Sequence, residues 1–167
     1  MPNVWTQDEV KKLGLPIVPV EAADTLALKS RAWYPGCALP PEGDMLICYH
    51  SRHMRLFAEL NCPERAVIHF LSFDVGIIEP LWGRKTFLDR CKKLKDYGFN
   101  RIISPDFSAW ANFAIPLQIY NIYRSAVVTS DFANNGFKIV ANVQWSLPEL
   151  KKHIYRALCA MAKAGIS

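Results

Sequence analysis

The feature that most restricts this chain is a threefold alternation between residues 66 and 145. Short runs rich in apolar and β-prone residues, at 67–73, 101–104 and 137–141, are separated by segments with helical spacing. The first, Val67-Ile-His-Phe-Leu-Ser-Phe73, is nearly continuous in such residues, as a strand covered on both faces must be. Phe87, Leu88, Cys91 and Leu94 then recur at helical spacing, with Lys85, Arg90, Lys92, Lys93 and Lys95 mostly elsewhere on the cylinder. Pro116 suits the first turn of a further helix, which Asn135-Gly136 ends. Ser146-Leu-Pro-Glu149 is a capping box for a last helix, with Leu150, Ile154, Leu158 and Met161 on one stripe. Strands alternating with helices of this length pair in parallel through right-handed crossovers. The expectation is an α/β fold of three β-α units, as an open sheet or a partial barrel, because three units are too few for a closed eight-stranded barrel.

Residues 1–64 read as an arm packed on a core formed by 65–167, the whole making one domain. Thr6-Gln-Asp-Glu9 is a capping box whose helix stops at Gly14 and Pro16. Five prolines between 16 and 41 make the next stretch irregular, with a short strand expected at 17–20, another at 45–49 and a short helix at 50–60. No apolar stretch reaches the roughly 20 residues needed to span a bilayer, and the first twelve residues lack the apolar segment of a signal peptide. An odd count of five cysteines, none spaced C-x-x-C, fits a reducing compartment. A soluble, cytoplasmic protein is expected, with no cofactor.

In parallel α/β folds ligands bind beyond the carboxyl ends of the strands. That rule selects Asp74 after the first run, Ser104, Asp106 and Ser108 after the second, and Asn142, Gln144 and Trp145 after the third. Asp74 and Asp106 are the candidate catalytic acid–base groups, and the amides, hydroxyls and indole, with Gln118, Asn121 and Arg124 of the following helix, a binding rim. The bland alternative is that these are turn residues and helix caps.

Cys48, His50, His53 and Cys62 suggest zinc, but their spacing matches no standard finger or ribbon, so no metal is expected. His69, inside an apolar strand, reads as a satisfied interior histidine. The chain carries 20 Lys and Arg against 15 Asp and Glu, a net charge of +5. Lys85, Arg90, Lys92, Lys93 and Lys95 on one helix and Lys151, Lys152 and Arg156 on another would form a basic patch facing nucleic acid, unless they are simply solvated faces. No P-loop, Rossmann glycine triplet, G-x-S-x-G or H-E-x-x-H occurs, which argues against the common nucleotide-using and hydrolase classes.

The helix at 116–134 is apolar almost all round, with Gln118, Asn121 and Ser125 on a thin polar seam. Such a helix lies either within the core, which is the commoner case, or against a second subunit, and a homodimer through residues 116–134 is the alternative to burial in the core.

Ile103-Ser-Pro-Asp-Phe-Ser-Ala-Trp110, Pro116-Leu-Gln-Ile-Tyr-Asn-Ile-Tyr-Arg124 and Gly136-Phe-Lys-Ile-Val-Ala-Asn-Val-Gln-Trp145 resemble, in that order, an uncharacterised domain family of phages, prophages and bacteria. The resemblance covers roughly residues 65–147. Its matching positions are Asp74, Ser104, Pro105, Asp106, Phe107, Ser108, Gln118, Asn121, Arg124, Asn142 and Trp145. It implies a phage or mobile-element setting, and no activity. Two departures stand out: a single carboxylate, Asp74, where the family usually has an acidic pair, and an end at Ser167 where family members continue into another strand, so a shortened form is expected. Two functions follow as expectations. One is an accessory protein binding nucleic acid or a host protein through basic helix faces. The other is an enzyme using the strand-end rim.

Overall fold

The computed structural model describes residues 18–71, 74–108 and 112–142. Six strands form one open sheet: β1 (Ala23–Asp24), β2 (Arg31–Ala32), β3 (Met45–Cys48), β4 (Ala66–His69), β5 (Arg101–Ile103) and β6 (Lys138–Val140). Their order is β1-β6-β5-β4-β3-β2 and every pairing is parallel. From β2 to β6, neighbours in the sheet are also neighbours in the chain. Steps that all move one way, with crossovers of one hand, put their helices on one face. Those helices are α1 (Ser51–Ala58), α2 (Arg84–Asp96) and α3 (Ile115–Asn134).

Alternation along the strands divides the buried residues into two sets. Met45, Ile47, Ala66, Ile68, Ile102 and Ile139 pack with Phe57 of α1, Phe87 and Leu94 of α2, and Val128 and Phe132 of α3. Six phenylalanines, Phe57, Phe70, Phe99, Phe107, Phe132 and Phe137, are fully buried there or beside it, each contributing about 2 kcal/mol of transfer free energy. The alternate residues Val67, Ile103 and Val140, with Leu46 against them, form a smaller cluster on the other face.

The α/β fold with parallel strands is as the sequence predicts, but the first 64 residues do more than pack on it. β1, β2, β3 and α1 all come from that stretch and complete the sheet and its helical layer. The strand expected at 17–20 is replaced by a 3-10 turn at Val20–Ala22 leading into β1. β4 also ends at His69, short of 73; one further ladder bond follows, Tyr49 N–H donating to His69 O at 2.8 Å, and the Phe70 ring stacks on that of Tyr49. The helices expected near the N-terminus and after residue 146 lie outside the described residues. Among those described, no helix is long and apolar enough to cross a membrane.

Candidate functional site at the carboxyl edge

Ser104 extends the β5–β6 ladder past the last strand residue, its N–H donating to Val140 O at 2.9 Å. Its hydroxyl accepts the Asn142 N–H at 2.7 Å, so the ends of β5 and β6 are tied together. This brings the Asn142 amide to Asp106, with Nδ2 at 3.5 Å from Oδ2, the outer limit of a hydrogen bond. Ser104, Asp106 and Asn142 are all half-buried. Asp74 opens a helical turn, Asp74–Ile78, after β4. Gln144 and Trp145 lie outside the described residues.

The polar seam of α3 faces inward, onto the 104–108 loop. Phe107 N–H donates to Ser125 Oγ at 3.1 Å, and Asn121 Nδ2 donates to Ser108 O at 2.7 Å. One turn earlier, Gln118 Nε2 donates to Phe113 O at 2.7 Å. Arg124 is buried, yet it donates through both terminal nitrogens to the half-exposed Glu79 carboxylate. Its guanidinium lies 4.0 Å from the centre of the Phe107 ring and 5.3 Å from that of Trp82, a cation held against aromatic faces. Asn121, Arg124 and Ser125 therefore hold the loop in shape from behind and Gln118 ties the segment before α3, so the helix residues expected on the rim are buried under it, while Ser104, Asp106 and Asn142 stand at the strand ends.

A second group of polar side chains sits one strand away. Cys48 of β3 and His69 of β4 are register partners at the carboxyl ends of adjacent strands. His50 and His53 follow, their rings 5.2 Å apart. Burial holds both His69 and His53 below the ordinary histidine value, and neighbouring histidines push in the same direction. The Nδ1 atoms of His53 and His69 are buried without a hydrogen-bond partner among the described residues, so His69 is not the satisfied interior histidine the sequence suggests. Among the described residues no three His, Cys, Asp or Glu side chains gather as metal ligands. Burial raises the Cys48 thiol, and pushes that of Cys91 up to about 12, so both remain protonated and poorly nucleophilic.

The basic residues of α2 separate into two groups. Arg90 turns in, donating to Ile77 O and Gly76 O with its guanidinium 4.9 Å from the Tyr49 ring centre. Arg84, Lys85, Lys92 and Lys95 stay exposed, Lys92 pairing with Asp96 at 2.7 Å. Lys93 reaches across to α1 and donates to Ser51 Oγ at 2.7 Å. That bond joins α2 to the short helix expected at 50–60, whose Arg52 and Arg55, outside the expected basic patch, are exposed and which holds no acidic residue. The signal was present as two arginines three apart, but only the fold ties their helix to α2 through Lys93. Lys151, Lys152 and Arg156 lie outside the described residues.

These features define a class: an all-parallel α/β protein whose loop after β5 is clamped by the polar seam of the following helix. Within that class the chain belongs to the family described as "Domain of unknown function (DUF4417)", whose model matches residues 45–166, beginning at the first residue of β3. It is also similar to the "Gene 1 protein" of Mycobacterium phage L5, 28% identical over 83 residues that cover 49% of this chain. The match spans 34% of that relative, about a third of its length. No solved structure matches the chain.

Proposed function

We propose that this chain is a small phage or mobile-element accessory protein, working in the cytoplasm of a bacterial host, that binds nucleic acid through the outer faces of α1 and α2. One observation carries the reading. With Arg90 turned inward, the two helices still hold seven cations, Arg52, Arg55, Arg84, Lys85, Lys92, Lys93 and Lys95, against the two carboxylates of Asp89 and Asp96. That excess of five equals the net charge of the whole chain and lies on two helices joined by the Lys93–Ser51 bond, which concentrates positive field there. Phosphate contacts of this kind set affinity and make it fall with salt, without reading sequence.

A salt titration against duplex and single-stranded DNA and RNA tests the proposal. Binding is expected at about 50 mM salt, with log affinity falling linearly against log salt. Changing Arg52, Lys85 and Lys92 together to Gln should flatten that slope by about two to three contacts. No binding to any of these nucleic acids at low salt defeats the proposal, and retention of an acidic host protein instead would transfer the role to a protein partner.

A second reading, an enzyme working at the strand-end rim, is favoured by the approach of Asn142 to Asp106. A carboxylate beside an orienting amide can accept a proton from a bound substrate. Asp74→Asn and Asp106→Asn should then abolish function while the melting temperature is kept. Variants that simply unfold would make both carboxylates structural.

A further inference from the structure

We propose that the outer ridge of α3 is a two-fold interface with a second copy of this chain. An amphipathic helix on a sheet ordinarily turns apolar residues inward and polar ones outward. The first half of α3 does the reverse. Gln118, Asn121 and Arg124 are buried, whereas Ile115, Ile119 and Tyr123 are 50%, 54% and 41% exposed. These three, continued by the half-buried Val127, lie four residues apart and so form a single ridge along the helix. Leu117, Tyr120 and Trp82 widen it, each exposed by about two fifths.

The occupant follows from charge and shape. Residues 112–123 contain no charged side chain, and Arg124, the first cation, is buried on Glu79. A nucleic acid finds no cation here and a charged partner finds no counter-charge. A second copy meets only the same apolar ridge, with no like-charge repulsion across the axis, as homodimer interfaces require. The ridge is also self-complementary. An antiparallel pair centred between Ile119 and Tyr123 sets Ile119 against the partner's Tyr123 and Ile115 against the partner's Val127. Beside Val127 runs a groove between α2 and α3 lined by Leu81, Trp82 and Phe87, with Arg84 and Asp131 also bordering it. That groove is the hole for the incoming Ile115, so each copy supplies knob and hole at once. The ridge itself carries none of the cations of α1 and α2, although Arg84 borders the groove beside it, and its pairing does not depend on nucleic-acid binding.

Sedimentation at micromolar concentration, with no nucleic acid present, is the test. The chain is expected at twice its 19.0 kDa mass. Ile119→Lys and Tyr123→Glu should each give monomers that still melt cooperatively, because these side chains are already about half in water. The double variant Ile119→Lys/Tyr123→Glu should restore the dimer, since each lysine then faces a glutamate across the axis. Ile119→Ser, the mildest change, should weaken the dimer about tenfold or more. Leu28→Lys, at a residue 91% exposed, should leave it unchanged. A monomeric wild type overturns the proposal, as does a dimer indifferent to Ile119→Lys. A double variant that stays monomeric overturns it too, because the two-fold register would then be absent.

Discussion

Arg101, the first residue of β5, donates from Nη1 to Asp44 Oδ1 and from Nε to Asp24 Oδ2, both at 2.6 Å. Asp24 ends β1 and Asp44 precedes β3, so one guanidinium ties together residues flanking strands two places away on either side. Burial alone would raise the Asp44 carboxyl, but Arg101 and the Ala27 N–H, donating at 2.7 Å, hold it below its ordinary value of 3.8. Replacing Arg101 with Met leaves that carboxylate buried without its cation. The expected loss in urea unfolding at neutral pH is about 2–4 kcal/mol, between the surface and fully buried limits for ion pairs. Because the folded carboxyl is the more acidic one, the contribution is present above pH 3.8 and disappears as the pH falls through the folded value. The variant should therefore differ least from wild type in acid.

The loop after β5 owes its shape to α3, and its amides report the fact. Asn121→Ala removes the donor to Ser108 O and should destabilise by about 1–2 kcal/mol. Ser125→Ala frees the Phe107 N–H, whose hydrogen exchange should accelerate while amides of β3 and β4 keep their protection. Arg124→Lys keeps the charge but loses the two-pronged contact with Glu79 and the flat stacking on Phe107, so it should behave like a loss rather than a conservative change.

How much of this was legible in the sequence depended on range. The period of 67–73 and the stripe through Phe87, Cys91 and Leu94 located β4 and α2, because a strand or helix writes its buried face locally. β1 and β2, two residues each, left no period to detect, and their place in the sheet depends on partners more than a hundred residues away for β1. The Ser104–Ser108 segment was found as a candidate rim, and Asn142 does meet Asp106 there. That the seam of α3 would face this loop was not visible: polar residues at i, i+3, i+7 look the same whether they face water or a neighbouring backbone. The joining of α1 to α2 through Lys93 and Ser51 is likewise a contact between residues 42 apart, with no signature in either segment alone.

The buried histidines make stability sensitive to mild acid. Both His69 and His53 protonate less readily folded than unfolded, so the unfolded chain binds protons first as pH falls below its value of about 6.5. Their contribution is whole above that pH and is lost on descending through it toward the folded values. Urea midpoints should fall between about pH 7.5 and pH 5.5. His69→Leu should flatten this dependence, and at neutral pH it should be nearly neutral or slightly stabilising, since it also removes an unpartnered buried nitrogen. An unchanged pH profile in the variant would assign the acid sensitivity to other groups.

Two glycines with nearly the same backbone separate conformational strain from collision. Gly43 and Gly136 have φ of +89° and +82°, the left-handed region that disfavours a side chain. At Gly136 an added Cβ meets nothing within 4 Å, so Gly136→Ala should cost only the backbone term, about 1 kcal/mol. At Gly43 the same atom would stand 2.6 Å from Lys29 O and 2.8 Å from its carbonyl carbon. Neither can retreat easily, because Ser30 N–H is bonded to Ala27 O and Arg31 N–H to Asp44 O, holding the 27–31 turn against residue 44. The Gly43 carbonyl in turn accepts Arg65 Nη2 at 2.9 Å, fixing the residue from the other side. Gly43→Ala should therefore lose about 3 kcal/mol or more, the sum of strain and displaced contacts. Equal losses in the two variants would mean that the 27–31 turn yields freely, and that Asp44 is held in place by Arg101 alone.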